Sequence, residues 1–174
     1  KFAYGNGDKR GVYFDEENRR RLNAIKLVHA QVALSLAEDG KQAQAREVLN
    51  QFDRLVNSSN FPYGITFNQG NRHNAISIQF LQACYASGDI DLAKKVAESV
   101  RRDLQQQMRY YQSLGEENYD FESLTANAYQ YLQGKGGDLS ARQLEFAYDI
   151  LSSYQLLKQL DEWEKQFQKK QSSL

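Results

Sequence analysis

Apolar side chains recur at intervals of three and four along most of the chain, and glycine rather than proline interrupts them, Pro62 being the only proline. That spacing predicts helices. Asp15 can cap a first helix, with Glu16 and Glu17 in the turn where the helix dipole favours negative charge. Behind it Leu22, Ile25, Val28, Val32 and Leu36 form an apolar stripe, flanked by Ala24, Ala30, Ala33 and Ala37. A stripe so wide predicts contacts on two sides of a helix ending near Asp39. Gly40 supplies a left-handed stop, and a second helix follows through Ala45, Val48, Leu49, Phe52 and Leu55. A link that short predicts an antiparallel hairpin.

A third helix, from His73 to Ser87, is predicted to turn Ile76, Phe80, Leu81 and Cys84 inward, and Gly88 stops it. Asp89 then caps a fourth that runs to Leu114 through Leu92, Ala93, Val96, Val100 and Leu104, about 39 Å at 1.5 Å per residue. Gly115 ends it. A fifth helix, Asp120 to Gln133, is expected to bury Phe121, Leu124, Ala128, Tyr131 and Leu132. After Gly134, Gly136 and Gly137, the pair Ser140 and Gln143 forms a capping box, with Leu139 and Leu144 set for a hydrophobic staple. The sixth helix follows through Phe146, Ile150, Tyr154, Leu157, Leu160 and Trp163 toward Phe167. The tail, with Lys169, Lys170, Ser172 and Ser173, is expected to fray.

The expected organisation is one helical domain over 1–174. It comprises an irregular arm (1–14) packed through Tyr4, Tyr13 and Phe14, a hairpin (15–57), an inserted loop (58–72), a second hairpin (73–114) and a third (120–170). In the loop, Phe61-Pro62-Tyr63-Gly64 suits a type I turn. Gly40 and Gly88 are each followed five residues later by an alanine, Ala45 and Ala93. Glycine reverses the chain, and the small residue lets two helices approach. The same offset occurs in the second half of the tetratricopeptide repeat, a unit of about 34 residues. The fold class expected is therefore all-α, about six helices in antiparallel hairpins stacked as a tetratricopeptide-like right-handed superhelix. Other consensus positions depart: no aromatic residue heads the first helix, Leu81 stands where a small residue is usual, and no proline closes either hairpin.

Composition narrows function by exclusion. Basic and acidic side chains number 22 each in 174 residues, so no long-range field draws a polyanion, and a nucleic-acid partner is not expected. Cys84 is the only cysteine, which excludes an internal disulfide. No apolar run approaches the roughly 20 residues that span a bilayer, and no signal-peptide pattern opens the chain.

Candidate chemistry is sparse. His29 and His73 have no second ligand at metal spacing, so neither a metal nor another cofactor is expected. Tyr63, Arg72 and His73, on or beside the inserted loop, are the candidates for ligand contact. Glu116, Glu117, Asp120 and Glu122 cluster, but in a polar segment that leaves carboxylates solvated and explains them as helix-start charges. Arg19, Arg20 and Arg21 cannot share one helix face. No glycine loop has the strand context of a phosphate cradle, and no serine sits in a nucleophile elbow. Eleven tyrosines are the remaining oddity, among them Tyr110, Tyr111, Tyr119, Tyr129, Tyr131, Tyr148 and Tyr154. Exposed, they suit a peptide or glycan partner; buried, they wedge helices apart. Asn57-Ser58-Ser59 matches an N-glycosylation acceptor, a pattern that would carry no weight if the protein were bacterial.

The opening Tyr4-Gly5-Asn6-x-Asp8-Lys9-x-Gly11-Val12-Tyr13-x-Asp15-Glu16-x-Asn18-Arg19-Arg20 resembles a segment in a family of large multi-pass membrane proteins of Bacteroidetes-type bacteria. The likeness continues through Gly40, Phe61-Pro62-Tyr63, Tyr85-Ala86-x-Gly88 and Tyr110-Tyr111-x-x-Leu114. In that family the membrane half looks like a protein O-mannosyltransferase-type glycosyltransferase, and the C-terminal region is a soluble, tetratricopeptide-like tail. The resemblance implies that this chain is such a tail, tethered to the inner membrane through preceding segments and facing the periplasm. It implies no catalytic residue here. The expected function is a non-catalytic interaction or scaffold domain with a protein or peptide partner. The rivals are an accessory domain contacting a glycan or acceptor through Tyr63, Arg72 and His73, and a self-association domain built on the long fourth and sixth helices.

Overall fold

The computed structural model describes residues 4–66 and 70–171. Among them every regular element is helical: α1 (Glu16–Glu38), α2 (Gln42–Leu55), α3 (Arg72–Ser87), α4 (Ile90–Ser113), α5 (Phe121–Leu132), α6 (Ala141–Glu145) and α7 (Ala147–Gln171). No described helix is long and apolar enough to cross a membrane. The chain divides into two compact units interleaved in sequence, Lys1–Ile65 with His73–Val100, and Thr66–Arg72 with Arg101–Leu174.

In the first unit Asp15 caps α1 by accepting from the Asn18 N–H, as its sequence context predicts. α1 and α2 pack as a hairpin hinged at Gly40, whose φ is +77°. Gly40 N–H donates to the Ala37 carbonyl and Lys41 N–H reaches back to Leu36, the paired bonds of a Schellman stop. Gly88 (φ +74°) repeats the arrangement, its own N–H on Tyr85 and that of Asp89 on Cys84. Ala45 and Ala93, five residues beyond each hinge, are fully buried, which lets the returning helix lie close.

α3 is buried around most of its circumference, through Asn74, Ile76, Ser77, Ile78, Phe80, Leu81, Ala83, Cys84 and Ser87, so it carries no one-sided stripe. Phe80 centres a ring cluster with Phe52 at 5.7 Å and Tyr63 at 5.3 Å, and His29 adds its ring to Phe52 at 5.5 Å. The arm packs through Phe14 as expected, but not through Tyr13, which is 78% exposed. Asn60 donates to the Gly7 and Lys9 carbonyls and accepts from the Gly11 N–H. Gly64 N–H donates to Ser99 Oγ, and a Cβ at Gly64 would lie 2.1 Å from the Ser99 carbonyl oxygen, so a close backbone approach requires glycine there.

In the second unit α5 packs on α7. Leu104, Met108, Tyr111, Leu124, Ala128, Ile150, Leu157 and Leu160 form its core. Arg101 spans to Asp161 at 2.6 Å and Glu164 at 2.9 Å. Asn71 donates to Ser152 and Ser153, and Ser153 donates to Gln107, a buried polar chain.

Four further expectations need correction. Seven helices replace six, because the last is interrupted at Phe146 (φ −107°, ψ 11°), whose ring packs on Tyr111 at 5.3 Å and Tyr110 at 6.0 Å. The buried face of α1 is Leu22, Asn23, Lys26, Ala30, Ala33 and Ala37, whereas Val28 and Val32 are 55% and 44% exposed. On α5 Tyr131 and Leu132 point outward, and Leu124, Thr125 and Ala128 are buried. α7 continues through Lys169 and Lys170 to Gln171, while Ser172 and Ser173 lie outside the described residues.

Candidate functional site

The three sequence candidates have different fates. Tyr63 is buried, its ring on Phe80 and its hydroxyl donating to Asp53 at 3.0 Å, which also accepts from Lys95 at 2.6 Å. Burial and the Asp53 carboxylate hold its phenol well above the ordinary range, so it stays protonated. Arg72, at the start of α3, is exposed, and His73 is half-buried. Asn57 is half-buried, its Oδ1 accepting from both the N–H and the Oγ of Ser59, so the glycosylation-like triplet is a turn.

Beneath Tyr63 lies a group that periodicity did not single out. Lys26 is fully buried, its Nζ donating to Ser77 Oγ at 2.7 Å. Ser77 Oγ in turn donates a hydrogen bond to the Tyr63 carbonyl at 2.6 Å. The Phe61 and Tyr63 rings stand 5.1 and 5.9 Å from the amine. No carboxylate among the described residues pairs with it, and burial lowers its pKa to about 7. The amine therefore fastens loop residues 61–63 onto α1 and α3 from inside the core. Its signal in the sequence was positional: Leu22, Lys26, Ala30, Ala33 and Ala37 share one helical arc.

The second unit carries a cleft of about 340 Å³, lined by Glu116, Glu117, Tyr119, Asp138, Ser140 and Gln143 together with Leu139 and Ala141. Its floor is organised by the capping box: Ser140 Oγ accepts from the Gln143 N–H, and Gln143 Oε1 accepts from the Ser140 N–H. Gln143 Nε2 donates to the Tyr111 carbonyl, and Ser140 Oγ donates to that of Leu114, so both side chains tie the start of α6 to the end of α4. On the wall, the Tyr119 hydroxyl donates to Asp138, and that hydrogen bond pushes the phenol up to about 12. The Asp138 N–H is in turn held by Asn127 Oδ1. Spacing could not reveal this pairing, because Tyr119 and Asp138 belong to segments on opposite sides of α5.

Chemically the cleft offers carboxylate oxygens and a protonated phenol, suited to accepting hydrogen bonds from an amine or guanidinium. Among the described residues no His, Cys, Asp and Glu cluster has metal-ligand geometry. Around α5 and its neighbours, the tyrosines take both of the roles open to them. Tyr111 is buried, while Tyr110, Tyr129, Tyr131 and Tyr148 are between 43% and 71% exposed. No protein-family model matches this chain, and neither a curated protein nor a solved structure matches it.

Proposed function

We propose that this chain is a non-catalytic interaction or scaffold domain, built of tetratricopeptide-like hairpins and carried as the tail of a membrane-bound, glycosyltransferase-like protein. The observation that carries the reading is the set of exposed tyrosines in the second unit, Tyr110, Tyr129, Tyr131 and Tyr148. A tyrosine left in water buries a large ring and fixes a hydroxyl only when a partner arrives, at low entropic cost. The two glycine hinges, each followed by a buried alanine, support the hairpin part of the proposal. The membrane context rests on the opening Tyr4 to Arg20 pattern. A protein or peptide is the partner proposed. Burial of Tyr63 weighs against the glycan-contacting alternative, since that ring is committed to Phe80 and Asp53.

Photoreactive phenylalanine analogues at positions 129 and 148 of the membrane-bound protein test the proposal. Recurrent adducts with one protein, weakened by Tyr110→Ala combined with Tyr131→Ala, are the expected result. Absence of any adduct at both positions sinks it.

A further inference from the structure

Lys26 enters the core of the first unit from α1 and meets the loop between α2 and α3 through one hydroxyl. Ser77 Oγ accepts from the Lys26 amine at 2.7 Å and donates to the Tyr63 carbonyl at 2.6 Å. The amine thus has one oxygen acceptor and two ring faces, Phe61 at 5.1 Å and Tyr63 at 5.9 Å. A neutral amine is satisfied there. An ammonium carries three N–H donors and a charge, and the rings offset only part of the hydration it gives up. A further acceptor stands three residues back on α1: Asn23 is buried, and its Oδ1 meets no donor among the described residues. Helical side chains lean toward the N-terminus, so an amine freed from Ser77 moves to the Asn23 side.

Of the three walls around the amine, the loop is the weakest. Two walls are α1 and α3, each held by a continuous ladder of backbone hydrogen bonds. Beyond the Ser77 contact and a turn bond from the Phe61 N–H to the Asn57 carbonyl, the loop is fastened by single side chains. The Tyr63 hydroxyl rests on Asp53, the Gly64 N–H on Ser99 Oγ and the Ile65 N–H on Asn74 Oδ1. The other ionisable groups packed around this place are accounted for element by element. On α1, Arg19 lies over the Tyr13 ring, and His29 holds the Ile25 carbonyl and packs on Phe52. On α2, Asp53 accepts from Tyr63 and from Lys95 of α4. Asp89, ahead of α4, accepts from Asn50. On α3, His73 stands in the first turn, and burial keeps the Cys84 thiol protonated.

We infer that Lys26 is a proton-operated clasp: when its amine takes up a proton, residues 61–65 lift from α1 and α3 while the helices of the first unit stay folded, and the Phe61 and Tyr63 rings meet water. Loss of the proton closes the loop again on Ser77. The sign follows from linkage. The open form protonates as a solvated lysine, near 10.4, and the closed form at about 7, so acidification favours opening throughout that interval and ceases to do so below it. From pH 8 to pH 6 the ratio of open to closed rises about tenfold. The clasp lies in the first unit and uses none of the exposed tyrosines, so it stands whether or not the interaction reading holds.

Backbone amide exchange of the 174-residue chain at pH 8 and pH 6, corrected for the intrinsic rate at each pH, tests the inference. The Gly64 and Ile65 amides are expected to lose about tenfold of their protection on acidification, with little dependence on urea. The Ala45 and Ala93 amides, bonded at the starts of α2 and α4, are expected to exchange more slowly and with the steep urea dependence of global unfolding. Lys26→Met keeps both histidines and every other ionisable group, and in it the protection of Gly64 and Ile65 is expected to be equal at the two pH values. Unchanged protection in the parent overturns the inference, as does a change of the same size in Lys26→Met. So do Gly64 and Ile65 amides that exchange at the rate and with the urea dependence of Ala45 and Ala93, since the loop would then open only when the unit unfolds.

Discussion

Lys26 is held where an ammonium is costly: water is excluded, the acceptor is the Ser77 hydroxyl, and the nearest compensating charge density is the faces of Phe61 and Tyr63. An unfolded lysine keeps its proton to about 10.4, whereas burial brings Lys26 to about 7 in the folded chain. Between those values the unfolded state binds a proton that the folded state lacks, so stability rises with pH from about 7 upward. Below about 7 both states are protonated and the full penalty, at most about 5 kcal/mol, is present. Lys26→Met is therefore predicted to stabilise the first unit by about 2–4 kcal/mol at pH 6.5, with the advantage shrinking by pH 9.5. Urea midpoints of both proteins at the two pH values check this. Cys84, whose thiol burial pushes up, acts in the opposite direction near pH 9, but it is present in both proteins and cancels in the difference. A variant less stable than the parent at pH 6.5 would show that the amine, and not merely its stem, holds the loop down. The sequence showed a lysine in an apolar helix; it could not show which arc of that helix turns inward, because α1 presents aliphatic residues on more than one side.

At the scale of elements, legibility followed locality. Hinges and caps depend on three to six neighbouring residues, and the stops at Gly40 and Gly88, the Asp15 cap and the Ser140–Gln143 box all take the predicted form. Facing depends on partners distant in sequence, and there α1 and the end of α5 were misassigned. The interruption at Phe146 was equally hidden, since its ring answers to Tyr110 and Tyr111 and not to its own helix. Gly88→Ala tests the physical content of a hinge. At φ +74° nothing lies within 4 Å of an added Cβ, so the cost is backbone strain alone, about 1–2 kcal/mol. Gly88→Asn, which tolerates left-handed geometry better, should recover part of that loss. Equal denaturation midpoints for all three proteins would remove the Schellman stop from the account of how α3 and α4 are joined.

For the whole molecule, an all-helical composition was readable from periodicity, but the interleaved division into two units was not. Thr66–Arg72 belongs with Arg101–Leu174, and the bonds of Asn71 to Ser152 and Ser153 join positions about eighty residues apart, a relation that local spacing does not encode. The candidate site was less legible still: Tyr63 turned inward, and the acidic cleft is assembled from segments flanking α5. Net charge, by contrast, is a property of the entire chain and makes a prediction that needs no site. With 22 basic and 22 acidic side chains there is no long-range field to gather a polyanion. The densest basic run is locally neutralised, Arg20 lying 3.7 Å from Glu16 and Arg21 3.1 Å from Glu17. Fluorescence anisotropy with a labelled oligonucleotide at about 50 mM salt is expected to show no saturable binding below about 100 μM protein. Micromolar binding that falls steeply with salt would demand several phosphate contacts from one face, and would mean that the arginines leave their glutamates to make them.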